Sequence, residues 1–210
     1  MFIRQHAGTM AFSLTLCFAV TILATATAHC AEQQAELATS ELSCEYATNP
    51  LGVDTPRPRF GWLLQSEQRA QLQSAYRVLV ATSEKQLQAN VGDKWDSGKV
   101  RSGQSVNVEY QGKALTSGET CYWKVRVWDK QGQPSTWSKP GSFEMGLMKQ
   151  SDWKGQWIGI AASSPLLRKE FAVTKKVRQA RVHISGLGWS ELYINGKKVS
   201  DDVLSPGFTD

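Results

Sequence analysis

Glu170, Glu191, Asp201, Asp202 and Asp210, together with His183, are the side chains of the C-terminal stretch whose chemistry suits a general acid or base. Such catalysis needs two groups held across a reacting bond, or an imidazole oriented by a carboxylate. The spacing supplies neither. Glu170 and Glu191 alternate with apolar neighbours, as outward residues of a strand do, and Asp201-Asp202 falls in a turn. His183 alternates with Arg181 and Ser185, which puts it on the solvent side of a strand with no carboxylate in register beside it. Solvated surface charge is the expectation for all of these acids. No catalytic residue is assigned.

Metal and thiol chemistry fare no better. The four cysteines, Cys17, Cys30, Cys44 and Cys121, lack the close-paired spacing that zinc requires, and scattered cysteines with His183 make no metal site. No cofactor is implied. Cys44 and Cys121 are candidates to pair in an oxidising compartment, provided the fold brings them within bonding distance. The tryptophans are more telling: Trp62, Trp95, Trp123, Trp128, Trp137, Trp153, Trp157 and Trp189 all follow the N-terminal segment. An indole face stacks well on a pyranose, but the area each ring buries makes core and inter-domain packing the main expectation. Arg126, with Trp128 beside it and Trp137 across a turn, is expected to form a cation–π stack worth ~1 kcal/mol, as structural glue before recognition surface. The net charge of +5 is spread over single and paired basic residues. A nucleic-acid surface would cluster them with aromatic platforms, so no nucleic-acid partner is expected.

The elements that must position these residues are short strands. Candidates are Leu42 to Tyr46, Arg59 to Leu64, Ala75 to Ala81, a short one around Trp95 within Asp93 to Lys99, Ser105 to Tyr110, Thr120 to Trp128, and Trp137 to Met145. Asn49-Pro50-Leu51-Gly52 and Pro56-Arg57-Pro58 break the chain between the first two. In Thr120 to Trp128, Cys121, Trp123, Val125 and Val127 alternate with Tyr122, Lys124, Arg126 and Trp128, so one face is buried and the other half-wet. Seven strands with turns between them over residues 41–147 suggest an immunoglobulin-like sandwich. A second group follows over 151–210: Leu166 to Val173, the alternating Ala180, Val182 and Ile184, then Ser190 to Ile194 and Lys197 to Val199 around Asn195-Gly196. Asn-Gly is a strong hairpin signal, because both turn positions need positive φ. The fold class expected is all-β, an Ig/fibronectin III-like sandwich followed by the opening strands of a jelly-roll-like one, whose closing strands would lie after Asp210.

The N-terminus reads as an export signal over residues 1–28. Arg4 precedes an uncharged apolar run from Ala11 to Ala24, and Ala24-Thr25-Ala26 and Ala26-Thr27-Ala28 offer cleavage sites. The run is short for a membrane span, which needs ~20 residues, although an uncleaved anchor is the alternative. His29 disfavours lipid attachment at Cys30. Residues 29–40 form a polar linker, and the mature protein is expected to be periplasmic or extracellular with no transmembrane span.

These residues also carry a family resemblance. SPLLRKEF, ARVHISGLGWSELYINGKKV and LSPGFTD, in that order, resemble the N-terminal β-sandwich of bacterial α-L-rhamnosidases, glycoside hydrolase family 78. CEYATNPLGVDTPRPRFGWLL, AYRVLVATS, WDSGKV, CYWKVRVWD and SFEMGL resemble the fibronectin type III-like domain that precedes it. In fibronectin modules a tyrosine usually opens the penultimate strand; here Cys121 stands there, with Tyr122 one place on. The resemblance implies a parent enzyme that hydrolyses terminal α-L-rhamnose with inversion, through two carboxylates ~6.5–9.5 Å apart. In the family both come from a helical barrel downstream, and this chain has no helical repeat. The expected function is therefore the non-catalytic N-terminal part of an exported α-L-rhamnosidase, whose partner is a rhamnose-containing glycan. A free-standing carbohydrate-binding or accessory protein and a structural exported Ig-like protein stand as alternatives. No sugar-binding residue is assigned.

Overall fold

Thr120–Trp128 is the strand around which the first module is built. In the computed structural model, which describes residues 37–162 and 165–201, Cys121, Trp123, Val125 and Val127 are buried on one face of it, as the alternation requires. In chain order the elements are β1 (Ala38–Cys44), β2 (Leu51–Val53), β3 (Arg59–Gln65), β4 (Ala75–Ala81), α1 (Glu84–Gln88), β5 (Trp95–Asp96), β6 (Val108–Glu109), β7 (Thr120–Trp128) and β8 (Gly141–Met145), with a 3-10 turn at Gln150–Asp152. Then come β9 (Tyr193–Ile194) and β10 (Lys197–Lys198). The export signal and most of the linker lie outside the described residues, as do Asp202 and Asp210. Among the described residues no helix is long and apolar enough to cross a membrane.

Two sheets make the module, one in the order β1-β3-β6 and one in the order β2-β8-β7-β4-β5. β4 pairs antiparallel with β7 along its whole length, from Ala75 opposite Trp128 to Ala81 opposite Tyr122. Phe60 and Trp62 from β3 meet Val78, Val80, Trp123, Val125, Val127 and Phe143 from the other sheet in one core. β4 reads as a nearly unbroken apolar run because both of its faces are covered. Tyr76, Val78 and Val80 enter the main core, while Leu79 and Ala81 pack with Leu87 of α1 and with Tyr122 and Trp137. Both sheets end in very short strands, β5 and β6, so one flank of the sandwich is left open.

Several elements depart from the sequence expectation. β1 runs over Ala38–Cys44 and not Leu42 to Tyr46, entering the span expected as linker, because Ala38, Thr39 and Ser40 pair with Gln65, Leu64 and Leu63 of β3. β6 is confined to Val108–Glu109 within the expected Ser105 to Tyr110. β8 begins at Gly141, not at Trp137, because Pro140, just before it, lacks the N–H a ladder needs. The intervening segment still follows β7: the hydroxyls of Ser138 and Ser135 accept from the N–H groups of Val125 and Val127 at 3.1 Å each. Leu51–Val53, expected as a break, runs parallel to β8 as β2, with Gly52 at φ 78° absorbing a register shift. The helix α1 was not anticipated. Its signal is Ser83-Glu84-Lys85-Gln86, where the Ser83 hydroxyl accepts from the Gln86 N–H as an N-cap.

The chain divides between Gly155 and Gln156 into two units. In the second, Asn195 and Gly196 take φ of 52° and 77° and close the β9–β10 hairpin, as the dipeptide demands. The strands expected over 166–173 and 180–184 are not formed. Their apolar residues are exposed, including Leu166, Phe171, Val182 and Ile184, and no neighbouring strand is present among the described residues to complete a ladder. An isolated strand with neither ladder nor packed face has nothing to offset its ordering entropy.

Candidate functional site

The outer face of the larger sheet brings together the cationic and aromatic residues that the sequence singled out. Arg126 lies over the Trp137 ring at 4.7 Å, and Lys124 Nζ lies over the same ring at 4.7 Å. Arg77, opposite Arg126 in the β4–β7 ladder, reaches to 6.0 Å. Trp128 does not join this stack; its ring carries Lys99 at 4.5 Å instead. Lys124 is the surprise, since the alternation puts it on the wet face and it is buried. Its ammonium donates to the Leu87 carbonyl at the end of α1 and to Asn90 Oδ1. Burial, and then the nearby Arg126, lower its pKa. With its cations occupied by Trp137, by α1 and by Asp96, this face is structural. Replacing Lys124 with alanine is expected to lower stability by about 1–3 kcal/mol, because Asn90 Oδ1 loses this buried donor and the Leu87 carbonyl keeps only the Asn90 N–H. Urea unfolding checks this, and a loss below about 0.5 kcal/mol would contradict it.

Among the described residues the candidate acid–base groups are not brought together. His183, Glu170 and Asp201 are exposed, and Glu170 pairs with Arg168 two residues away. Glu191 accepts from Lys198 Nζ at 2.7 Å and from the Tyr193 hydroxyl at 2.8 Å, which lowers its pKa. A general acid requires the opposite shift. Cys44 and Cys121 both sit in the main core as free thiols.

A different site lies on the open flank, and the sequence reading passed over it. A cleft of about 410 Å³ opens between β5 and β6. Tyr76 and Trp95 line it, with Gln104, Asn107, Glu109 and Gln111 around them. The Trp95 ring is seated by Phe60, stacked at 6.2 Å, and by Tyr110, edge-on at 5.5 Å. The wall between Ser97 and Asn107 has almost no secondary structure, yet it is fastened. Buried Gln73 accepts from Trp62 Nε1 at 2.9 Å and donates to the carbonyls of Ser102 and Gln104 at 3.0 and 2.8 Å. Gln104 in turn donates to the carbonyls of Val106 and Asn107. Asn107, at φ 55°, accepts the Tyr46 hydroxyl at 2.9 Å. Tyr46, at φ 64°, stands 71% exposed with Arg59 over its ring at 4.9 Å. Arg59 is fixed by a bidentate pair with Glu45, whose carboxyl it holds below the usual range. The cleft's own carboxylates are matched by cations: Asp96 by Arg77 through two bonds of 2.8 and 2.6 Å, and Glu109 by Arg57 at 3.5 Å. The only sequence signal for this site was the turn-rich composition around Trp95, which names no ligand.

Comparison with known proteins covers both units. Residues 39–149 match the family model of the Rha78A-like N-terminal immunoglobulin domain, and residues 175–210 match that of the alpha-L-rhamnosidase N-terminal domain. An alpha-L-rhamnosidase of Formosa agariphila is 36% identical over 91% of this chain and 23% of its own length. The solved alpha-L-rhamnosidase of Dictyoglumus thermophilum is 40% identical, with a TM-score of 0.74 over 81% of this chain and 21% of its own. The Streptomyces avermitilis alpha-L-rhamnosidase, solved in complex with L-rhamnose, is 44% identical, with a TM-score of 0.56 over 59% of this chain and 12% of its own. The chain thus spans less than a quarter of the length of these relatives.

Proposed function

The chain belongs to the family of Rha78A-like N-terminal immunoglobulin domains, with α-L-rhamnosidase N-terminal sequence behind it, and from that premise we propose that it is the non-catalytic leading part of an exported, inverting α-L-rhamnosidase. The observation that carries this reading is the order of the two matches, 39–149 and then 175–210, in a chain aligned with under a quarter of enzymes that bear that name. The acids that reach solvent support it. Glu170 and Glu191 are each tied to a local cation, Arg168 and Lys198. Export rests on the leader composition of residues 1–28.

In this reading the first module positions its neighbours and the reaction belongs to a separate domain. An inverting reaction needs an acid to protonate the leaving oxygen and a base to activate water on the opposite side, and in this reading both come from that separate domain. Two measurements test the proposal. The chain alone is expected to release no p-nitrophenol from p-nitrophenyl α-L-rhamnoside above the buffer rate. Grafted in place of the matching region of the Dictyoglumus thermophilum enzyme, it is expected to leave hydrolysis with inverted anomeric configuration. Turnover by the pure chain, or a folded but inactive graft, would defeat it.

A further inference from the structure

We propose that the cleft between β5 and β6 is a carbohydrate subsite of the immunoglobulin-like module, taking a neutral sugar on the Trp95 side and holding its hydroxyls with Asn107 and Gln111. The choice of rhamnose as its sugar rests on the function proposed above, but the site itself stands on its own geometry.

Four features of the cleft point to a sugar. Its volume of about 410 Å³ lies in the ~300–1,000 Å³ range of small-ligand clefts. It sets the half-buried Trp95 ring among planar amides, the pairing that serves a molecule with apolar C–H faces and hydroxyl edges. Its charge is compensated, because Arg77 and Arg57 answer Asp96 and Glu109, and this disfavours an ionic ligand and leaves the amides to select. Its wall is also pre-organised: Gln73 fastens the 97–107 segment from inside, and the Tyr46 hydroxyl takes up Asn107 Oδ1, leaving the Asn107 amino group to donate outward. Gln111, exposed at the mouth, has no side-chain hydrogen bond to another described residue.

The backbone gives an independent reason. Glu45, Tyr46 and Asn107 all take positive φ, of 47°, 64° and 55°, and the Tyr46–Asn107 hydrogen bond brings two of these strained positions together at the rim of one depression. For a glutamate and a tyrosine that conformation costs of order 1 kcal/mol each, and strain of this kind gathers where a surface is built to bind.

Two-dimensional NMR of the intact chain, titrated with methyl α-L-rhamnoside to about 50 mM, tests the proposal in the millimolar range of a weak subsite. The expected result is saturable shifts of the Trp95 indole N–H and of the Asn107 and Gln111 side-chain amides, assigned by single substitutions. The double variant Asn107→Ala/Gln111→Ala is expected to weaken binding at least about tenfold and to melt a few degrees lower, since Asn107 sits at positive φ and accepts from Tyr46, whereas Gln111→Ala alone, at an exposed residue, is expected to weaken binding with its thermal midpoint unchanged. No saturable shift in the cleft, or an equal response from the double variant, would overturn the proposal. Binding is read without any hydrolysis. A silent cleft in a chain whose graft is active therefore fails this inference alone, and an occupied cleft in a chain whose graft is inactive fails only the function proposed above.

Discussion

Replacing Phe60 with alanine is expected to lower the stability of the first module by about 3–5 kcal/mol. Phe60 is 1% exposed and lies in the middle strand of the smaller sheet, between Cys44 of β1 and Val108 of β6. Its ring meets Trp123 at 4.4 Å, Phe143 at 5.7 Å, Trp95 at 6.2 Å and Tyr110 at 6.5 Å. These four rings come from the other sheet and from the open flank, so the cavity left by alanine has no single neighbour able to fill it. A domain of this size typically has 5–15 kcal/mol in total, and each kcal/mol moves its melting point by about 4–8 °C. The variant should therefore melt at least about 12 °C lower. Because Phe60 seats the Trp95 ring, it should also loosen the flank cleft before the module unfolds globally. Leu63→Ala, on the same strand but 49% exposed, should fall within about 0.5 kcal/mol of the native chain. Urea denaturation of both variants checks the contrast; a Phe60→Ala loss under about 1 kcal/mol would mean that the two sheets do not share this core.

The contrast between Phe60 and Leu63 also shows what the sequence was able to reveal. Inward and outward positions of β3 and β7 follow largely from alternation, because each faces the same core and a slip of one residue would expose it, whereas β4 is legible as an apolar run covered on both faces. The Asn195-Gly196 hairpin was legible for a similar reason, since local backbone chemistry decides it. Lys124 was not, because its burial depends on α1 and on Trp137, which arrive from other parts of the chain. The flank cleft was hidden in the same way. Its chemistry sits on irregular backbone between residues 95 and 111, where no period marks which side chains converge, and its wall is fixed by Gln73 from a different loop. The strands expected in the second unit fail for the complementary reason. Alternation in Ala180, Val182 and Ile184 specifies a face to be buried, but burial takes a second layer, and none of the described residues supplies it.

Burial also sets how the first module should respond to alkali. Cys44 and Cys121 are about 1% and 0% exposed, and burial, reinforced by Glu45 at the first and Glu119 at the second, pushes both thiols from 9.0 up to about 12. In that window the unfolded chain gives up both protons while the folded chain keeps them, so the native state binds more protons and stability falls as pH rises. The contribution is whole below pH 9.0 and is lost as pH climbs toward about 12. Each thiol steepens the fall by up to about 1.4 kcal/mol per pH unit. Tyr76 and Tyr110, also raised from 10.0 mainly by burial, add to the same limb from a higher starting point. Lys124 works against it: its lowered pKa means that the unfolded chain holds the proton longer, but it is one group against four. The variant Cys44→Ala/Cys121→Ala should accordingly be less stable than the native chain at neutral pH, through lost packing, and should close that gap by about 2 kcal/mol or more between pH 9 and pH 11. Urea unfolding at a series of pH values, with a reductant present to keep the thiols free, measures the gap directly. Parallel curves for the two proteins would show that the thiols ionise as readily in the fold as out of it, and would contradict the upward push of burial on both.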